Sequence, residues 1–171
     1  MINWKPKLGN LSLWLALSVV AVFAGQVPAH SQDAAAPAEL FLEDTSPQGF
    51  VATVDAFTAG VSDAGWSILG KTNMAGVLSE RGFTVDPVLV FEPCSGAYSS
   101  ELLGRDETRF VSSMIPCRVA IYKTSAGDVV ISRINTGAMA EMIGGDAAPI
   151  IRQSGEELEA IIDSVLQELE Q

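Results

Sequence analysis

Met114-Ile-Pro-Cys-Arg-Val-Ala-Ile-Tyr-Lys123, Thr124-Ser-Ala-Gly-Asp128 and Val129-Val-Ile-Ser-Arg-Ile-Asn135 follow one another without a break. Two β-prone runs flank a five-residue turn in which Gly127 can take the positive φ that such loops need, so the stretch predicts an antiparallel hairpin over 114–123 and 129–135. A hairpin with an apolar face needs a cover, and the C-terminus supplies one. Leu158, Ile161, Ile162, Val165, Leu166 and Leu169 recur at helical spacing, and Ser154-Gly-Glu-Glu157 reads as a capping box at the start of that helix. Glu159, Asp163, Glu168 and Glu170 fall on the other face. The stripe suits docking on the chain's own sheet; a coiled-coil partner is the alternative use. Strand pairs plus amphipathic helices place the chain in the α+β class.

Outward from the hairpin, the elements alternate. A helix is expected from Thr45, where Thr45-Ser-Pro-Gln48 can form a capping box, through Phe50, Val54, Phe57 and Val61 to a stop at Gly65. Trp66 to Leu69 reads as a strand, Asn73 to Arg81 as a short helix closed by Gly82, and Val85 to Phe91 as a strand that Pro87 pushes toward an edge or bulge. Ser95 to Leu103 and Thr136 to Met142 are expected to be helical, ending at Gly104 and Gly144-Gly145.

The N-terminus carries an export signal. Lys5 and Lys7 precede the uncharged run Leu11 to Ala24, and Ala29-His-Ser31 supplies small residues for cleavage before Gln32, with cleavage after Ala29 as the alternative. That run is 14 residues long, short of the roughly 20 that span a bilayer as a helix. The expected organisation is a cleaved signal over 1–31, an Ala/Pro-containing linker over 32–46 and one domain over 47–171, released to the periplasm or the medium with no membrane insertion after cleavage. The processed chain has 8 basic and 21 acidic residues, a net charge of −13. Such a charge repels phosphate backbones and anionic headgroups, which excludes nucleic acid as a partner. The single histidine, His30, lies at the cleavage site. Without it, Ser-His-Asp catalysis and histidine-ligated metal are both ruled out.

Cys94 and Cys117 are the two cysteines, each preceded by proline and enclosing a 24-residue segment. Cys94 is expected at a strand end facing a helix start, where amide dipoles favour a thiolate. In an oxidising compartment the pair reads as a disulfide, worth about 3 kcal/mol by chain entropy. The other reading is a reactive thiol pair, with Cys94 attacking and Cys117 resolving. Arg118 and Arg133 form a second constellation: the hairpin is expected to set them opposite or diagonal, with Ser132 and Asn135 as added donors for a small anion. The competing expectation pairs each arginine with one of the 21 acids. Glu92, Asp106 and Glu107 have no spacing that singles out a base or a metal set. Met74, Met114, Met139 and Met142 could suggest copper, but isolated methionines read as core filler. No metal site and no cofactor are assigned, and Gly144-Gly145 lacks the surroundings of a phosphate loop.

The stretches Val90-Phe-Glu-Pro-Cys94, Met114 to Tyr122, Gly127 to Asn135 and Met139-Ala-Glu-Met-Ile-Gly-Gly145 resemble the cysteine-bearing branch of domain-of-unknown-function family 302. The resemblance runs from about Phe50 to Leu169. It implies a two-layer α+β sandwich, an antiparallel sheet backed by helices, with a homodimer as one possible assembly. Where the family commonly has Asn-Pro after its first cysteine, this chain has Ser95-Gly96. Three functions fit these residues: a non-catalytic binding or accessory module taking a small anion or a thiol ligand, a thiol-based redox or sulfur-handling protein, and a homodimeric structural partner of an exported complex.

Overall fold

The computed structural model describes residues 40–171. The expected signal over 1–31 lies outside them, as does the first part of the expected linker. Five strands form one antiparallel sheet: β1 (Phe41–Ser46), β2 (Ser67–Asn73), β3 (Val88–Cys94), β4 (Val119–Lys123) and β5 (Val129–Ile134), in the spatial order β1-β5-β4-β3-β2. The helices are α1 (Phe50–Asp63), α2 (Met74–Ser79), α3 (Gly96–Leu103), α4 (Thr136–Ile143) and α5 (Ala147–Leu169), with a 3-10 turn at Arg109–Met114. This is the two-layer α+β sandwich that the sequence leads one to expect.

The hairpin at its centre closes as its chemistry dictates. Gly127 sits at φ +101°, Thr124 N–H donates to Asp128 O at 2.8 Å, and the Thr124 hydroxyl accepts from Asp128 N–H at 3.1 Å. Val119, Ile121, Val129 and Ile131 then face the helices together with Phe91 from β3. Against them pack Val54, Phe57 and Val61 of α1 and Leu158, Ile161, Ile162 and Val165 of α5. The apolar stripe of the last helix is therefore spent on its own sheet. Phe57 and Phe91, both fully buried, meet edge to face with centroids 5.3 Å apart, an arrangement worth about 0.5–1.5 kcal/mol beyond the area it covers.

Several boundaries differ from the expected ones. The linker does not extend to residue 46: Phe41–Ser46 is an edge strand paired to β5, from Phe41 opposite Ile134 to Ser46 opposite Val129. The first helix does not begin at Thr45. It begins at Phe50 with Gly49 as an N-cap that makes no side-chain bond, and Ser46 instead ends the strand by sharing a 2.7 Å hydrogen bond with Thr53 in the helix's first turn. Its far end does follow the glycine, since Trp66 N–H reaches Val61 O at 3.0 Å and Gly65 N–H reaches Ser62 O at 2.9 Å, the two bonds of a Schellman cap. The strand expected from Met114 starts only at Val119, because 109–114 winds as a 3-10 turn and Pro116 has no N–H to offer a ladder.

The final helix begins seven residues before Ser154, at Ala147, and its 23 residues reach roughly 34 Å at 1.5 Å each. Ser154 and Gly155 are interior positions rather than a cap. Pro149 is accommodated because it falls in the first turn, where an amide would have no partner in the helix. The start of this helix builds a second apolar cluster, Leu102, Val111, Ala140, Ala147, Ile150 and Ile151, distinct from the one on the sheet. Among the described residues no helix is long and apolar enough to cross a membrane.

Candidate functional site

The two clusters do not merge. Where they meet, at the end of the sheet opposite the β4–β5 turn, a cavity of about 340 Å³ opens. Leu158 of the sheet cluster forms one side, and Leu102, Val111 and Ile151 of the second cluster form the other. Met114, Ile115 and Pro116 close it from the segment leading into β4; Ile134, Thr136 and Met139 close it from the end of β5 and from α4. Polar atoms are few. Cys117, Ser154, Ser113, Thr136, Glu92 and the two arginines supply them. A more open hollow of about 430 Å³ near the start of α1, between Phe50, Phe83, Val85 and Leu89, has no charged or sulfur side chain in its wall.

Cys117 arrives at the cavity wall two residues before β4 and packs half-buried against the sheet core. Burial pushes its thiol pKa up, the neighbouring Cys94 pushes it further, and a hydrogen bond with Ser154 opposes both. The resting state at neutral pH is a neutral thiol. Cys94 is the last residue of β3, directly before α3, as the sequence leads one to expect. Its Sγ lies 3.1 Å from Ser99 Oγ in that helix. Cys94 ends β3 and Cys117 leads into the neighbouring strand β4, the two strands being paired up to Phe91 opposite Val119. They are both free thiols in the structure; no bridge joins them.

The arginines do not form the expected cross-strand pair. Arg133 stands opposite Val119, not Arg118, so strand alternation sends the two side chains to different faces of the sheet. Arg133 turns toward the helices and is 6 % exposed, held between Asp44 of β1 and Glu159 of α5. Its Nε lies 3.1 Å from both Glu159 oxygens. Burial alone lowers the guanidinium pKa, but the hydrogen bonds and charges of Glu159 and Asp44 outweigh that and raise it. Glu159, expected on the solvated face of its helix, is thus a partner of the sheet. Arg118 is 60 % exposed and sits 3.8 Å from Glu92. Both arginines remain in the cavity wall.

Ser132 lies on the face away from the helices, next to Ala120 and Glu43 in the register. Asn135 is the N-cap of α4, accepting from Ala138 N–H at 3.0 Å. Asp106 pairs with Arg109 at 2.6 Å, and Glu107 is exposed. Gly144 and Gly145, at φ +65° and +60°, end α4. The methionines are not core filler: none of Met74, Met114, Met139 and Met142 is buried. Among the described residues no three His, Cys, Asp or Glu side chains converge on a common point.

Sequence reasoning missed Ser154 and Thr136 as wall residues because it placed a helix start at one and saw no role for the other. It also missed Glu157, whose Oε1 accepts from Trp66 Nε1 at 2.8 Å and whose hydrogen bond raises the pKa of Tyr98. An acid four residues before a buried pair of Ile was read as a cap, which hid its contact with distant aromatic donors.

Residues 42–169 match the family described as domain of unknown function DUF302. The fold is similar to the crystal structure of an uncharacterized conserved protein, DUF302, from Bacillus stearothermophilus, with a TM-score of 0.66 at 18 % identity over 72 % of this chain and 96 % of that one. No curated protein matches the chain.

Proposed function

We propose, from the premise that the chain belongs to the DUF302 family, that it is an exported, non-catalytic binding module for a small molecule with an aliphatic body and an anionic head. The observation that carries this reading is the cavity between the two apolar clusters. Its volume of about 340 Å³ sits at the lower end of the range for small-ligand sites, roughly 300–1,000 Å³, and an apolar wall with a few polar groups is their usual composition. Arg118 gives the head its partner. Glu92 holds it only at 3.8 Å, so guanidinium donors remain for a carboxylate. Arg133 is committed to Asp44 and Glu159 and serves as wall rather than as anchor. Release from the cytoplasm after cleavage near Ser31, to the periplasm or the medium, accounts for the charged start and apolar run of the leader and for the acidity of the rest.

Titration calorimetry with a series of straight-chain carboxylates and the matching alcohols tests the reading. Each added methylene is expected to tighten binding by about 0.8 kcal/mol, roughly fourfold, until the cavity is full. Arg118→Ala is expected to erase the preference for the acid over the alcohol. Equal binding of every chain length, or an acid preference that survives in Arg118→Ala, refutes it.

A second reading has its own support. Cys94 ends β3 and Cys117 lies just before the neighbouring strand β4, and Cys94 helps raise the Cys117 thiol pKa, which suits a thiol pair that cycles between open and bridged forms. Mass spectrometry and thiol titration with and without mild reductant decide it: a mass lower by two hydrogens that mild thiols restore supports the pair, and two thiols under every condition remove it.

A further inference from the structure

Three sulfur-bearing residues from three separate elements line one cavity. Met114 ends the 3-10 turn, Cys117 lies in the segment before β4, and Met139 belongs to α4, yet all three line the cavity. Core packing does not explain the methionines, since Met114 is 38 % exposed and Met139 is only half-buried. We propose that Met114, Cys117 and Met139 form a site for a soft monovalent metal ion, with cuprous copper as the physiological occupant. The inference goes beyond the binding of an organic ligand and uses the same cavity.

The chemistry of the donors selects the ion. Thiolate and thioether sulfur favour Cu(I), whereas carboxylate and imidazole sets serve harder cations. No such set is present among the described residues. When the ion binds, the Cys117 S–H bond breaks, its proton passes to solvent and a Sγ–Cu bond forms. The two thioethers donate lone pairs, and no electron is transferred. One thiolate and one monovalent cation sum to zero charge, so the complex carries little desolvation cost among Leu102, Ile151 and Leu158.

Competition between the reduced protein, purified after export, and the chelator bathocuproine disulfonate measures Cu(I) binding, with Ag(I) as a redox-inert second probe in native mass spectrometry. One ion per chain is expected. Cys117→Ser is expected to weaken binding by at least about 100-fold, the upper end of what changes outside the ligand shell cost. The Met114→Leu/Met139→Leu double variant, which keeps the thiol and the apolar volume, is expected to lose on the order of 10-fold or more. Met142→Leu and Cys94→Ser are expected to bind as the parent does. The proposal is overturned by no competition for the ion, by a double methionine variant that binds normally, or by a Cys94→Ser variant that loses the ion, which indicates a dithiol site instead. Carboxylate binding that persists without metal binding overturns this inference alone; loss of both also removes the cavity as a ligand seat.

Discussion

A Cβ built on Gly155 of α5 would stand 2.6 Å from Cβ of Thr136, the first residue of α4. The two helices approach so closely there that only hydrogen fits. Since Thr136 and Ser154 both belong to the cavity wall, this contact fixes the spacing of two sides of the proposed ligand seat. Gly155→Ala is expected to destabilise the protein by about 1–3 kcal/mol, the cost of overpacking, although alanine in an exposed helix interior would gain about 1 kcal/mol over glycine. Urea unfolding followed by Trp66 fluorescence measures the balance; a rise in midpoint would show that α4 can retreat at no cost.

Arg133 joins three elements: its own strand, β1 through Asp44 and α5 through Glu159. Replacing it with leucine leaves two carboxylates facing each other without a cation. The expected loss is about 3 kcal/mol, near the low end for orphaning a buried charge because both acids keep some contact with water. The same unfolding measurement reads it, and a loss below half a kcal/mol would mean that the triad is not coupled to folding.

The Cys117 thiol has a higher pKa in the folded chain than when exposed, chiefly through burial. The native state therefore holds that proton more tightly than the unfolded one. The associated stability is fully present below the unfolded thiol value, near 8.5, and is lost as pH rises through the folded value. Tyr98 and Tyr122 are also raised, so their contributions run in the same direction. Comparing the parent with Cys117→Ala isolates the thiol: between pH 8 and 10, on the order of the ordinary thiol range, the parent's unfolding midpoint should fall more steeply. Parallel curves would contradict the assignment.

Glu157 raises the phenol of Tyr98 by hydrogen bond first and by charge as well. Ultraviolet difference titration of Glu157→Gln should therefore show one tyrosine ionising at lower pH than in the parent, with Tyr122, which answers to its own burial and to Glu43, unmoved. A shift in neither tyrosine would place Glu157 away from the phenol in solution.

Much of the fold is legible because it is local. The turn Thr124 to Asp128, the stripe from Leu158 to Leu169 and the Gly65 cap each state their geometry within a few residues. What escaped the sequence depends on distant partners. Phe41–Ser46 becomes a strand because β5 offers a free edge, and its Ala-rich approach gave no hint of that pairing. Ser154-Gly-Glu-Glu157 has the pattern of a cap, but Ile150 and Ile151 before it have a second cluster to bury against, so the helix continues upstream. The arginine pair failed on a register difference of one residue, which reverses the face of a side chain. Cys94 and Cys117 were visible as a pair, while the cavity beside Cys117 was not. It arises from a seam between clusters that no single segment encodes.

The central claim is that this seam admits a ligand. Titration calorimetry of decanoate into the parent and into Ser154→Phe, a variant that places a ring in the cavity wall, tests it most directly. Saturable one-to-one binding in the parent, absent in a Ser154→Phe protein that still unfolds cooperatively, is the predicted result. No saturable heat in the parent, or equal affinity in the two proteins, contradicts it.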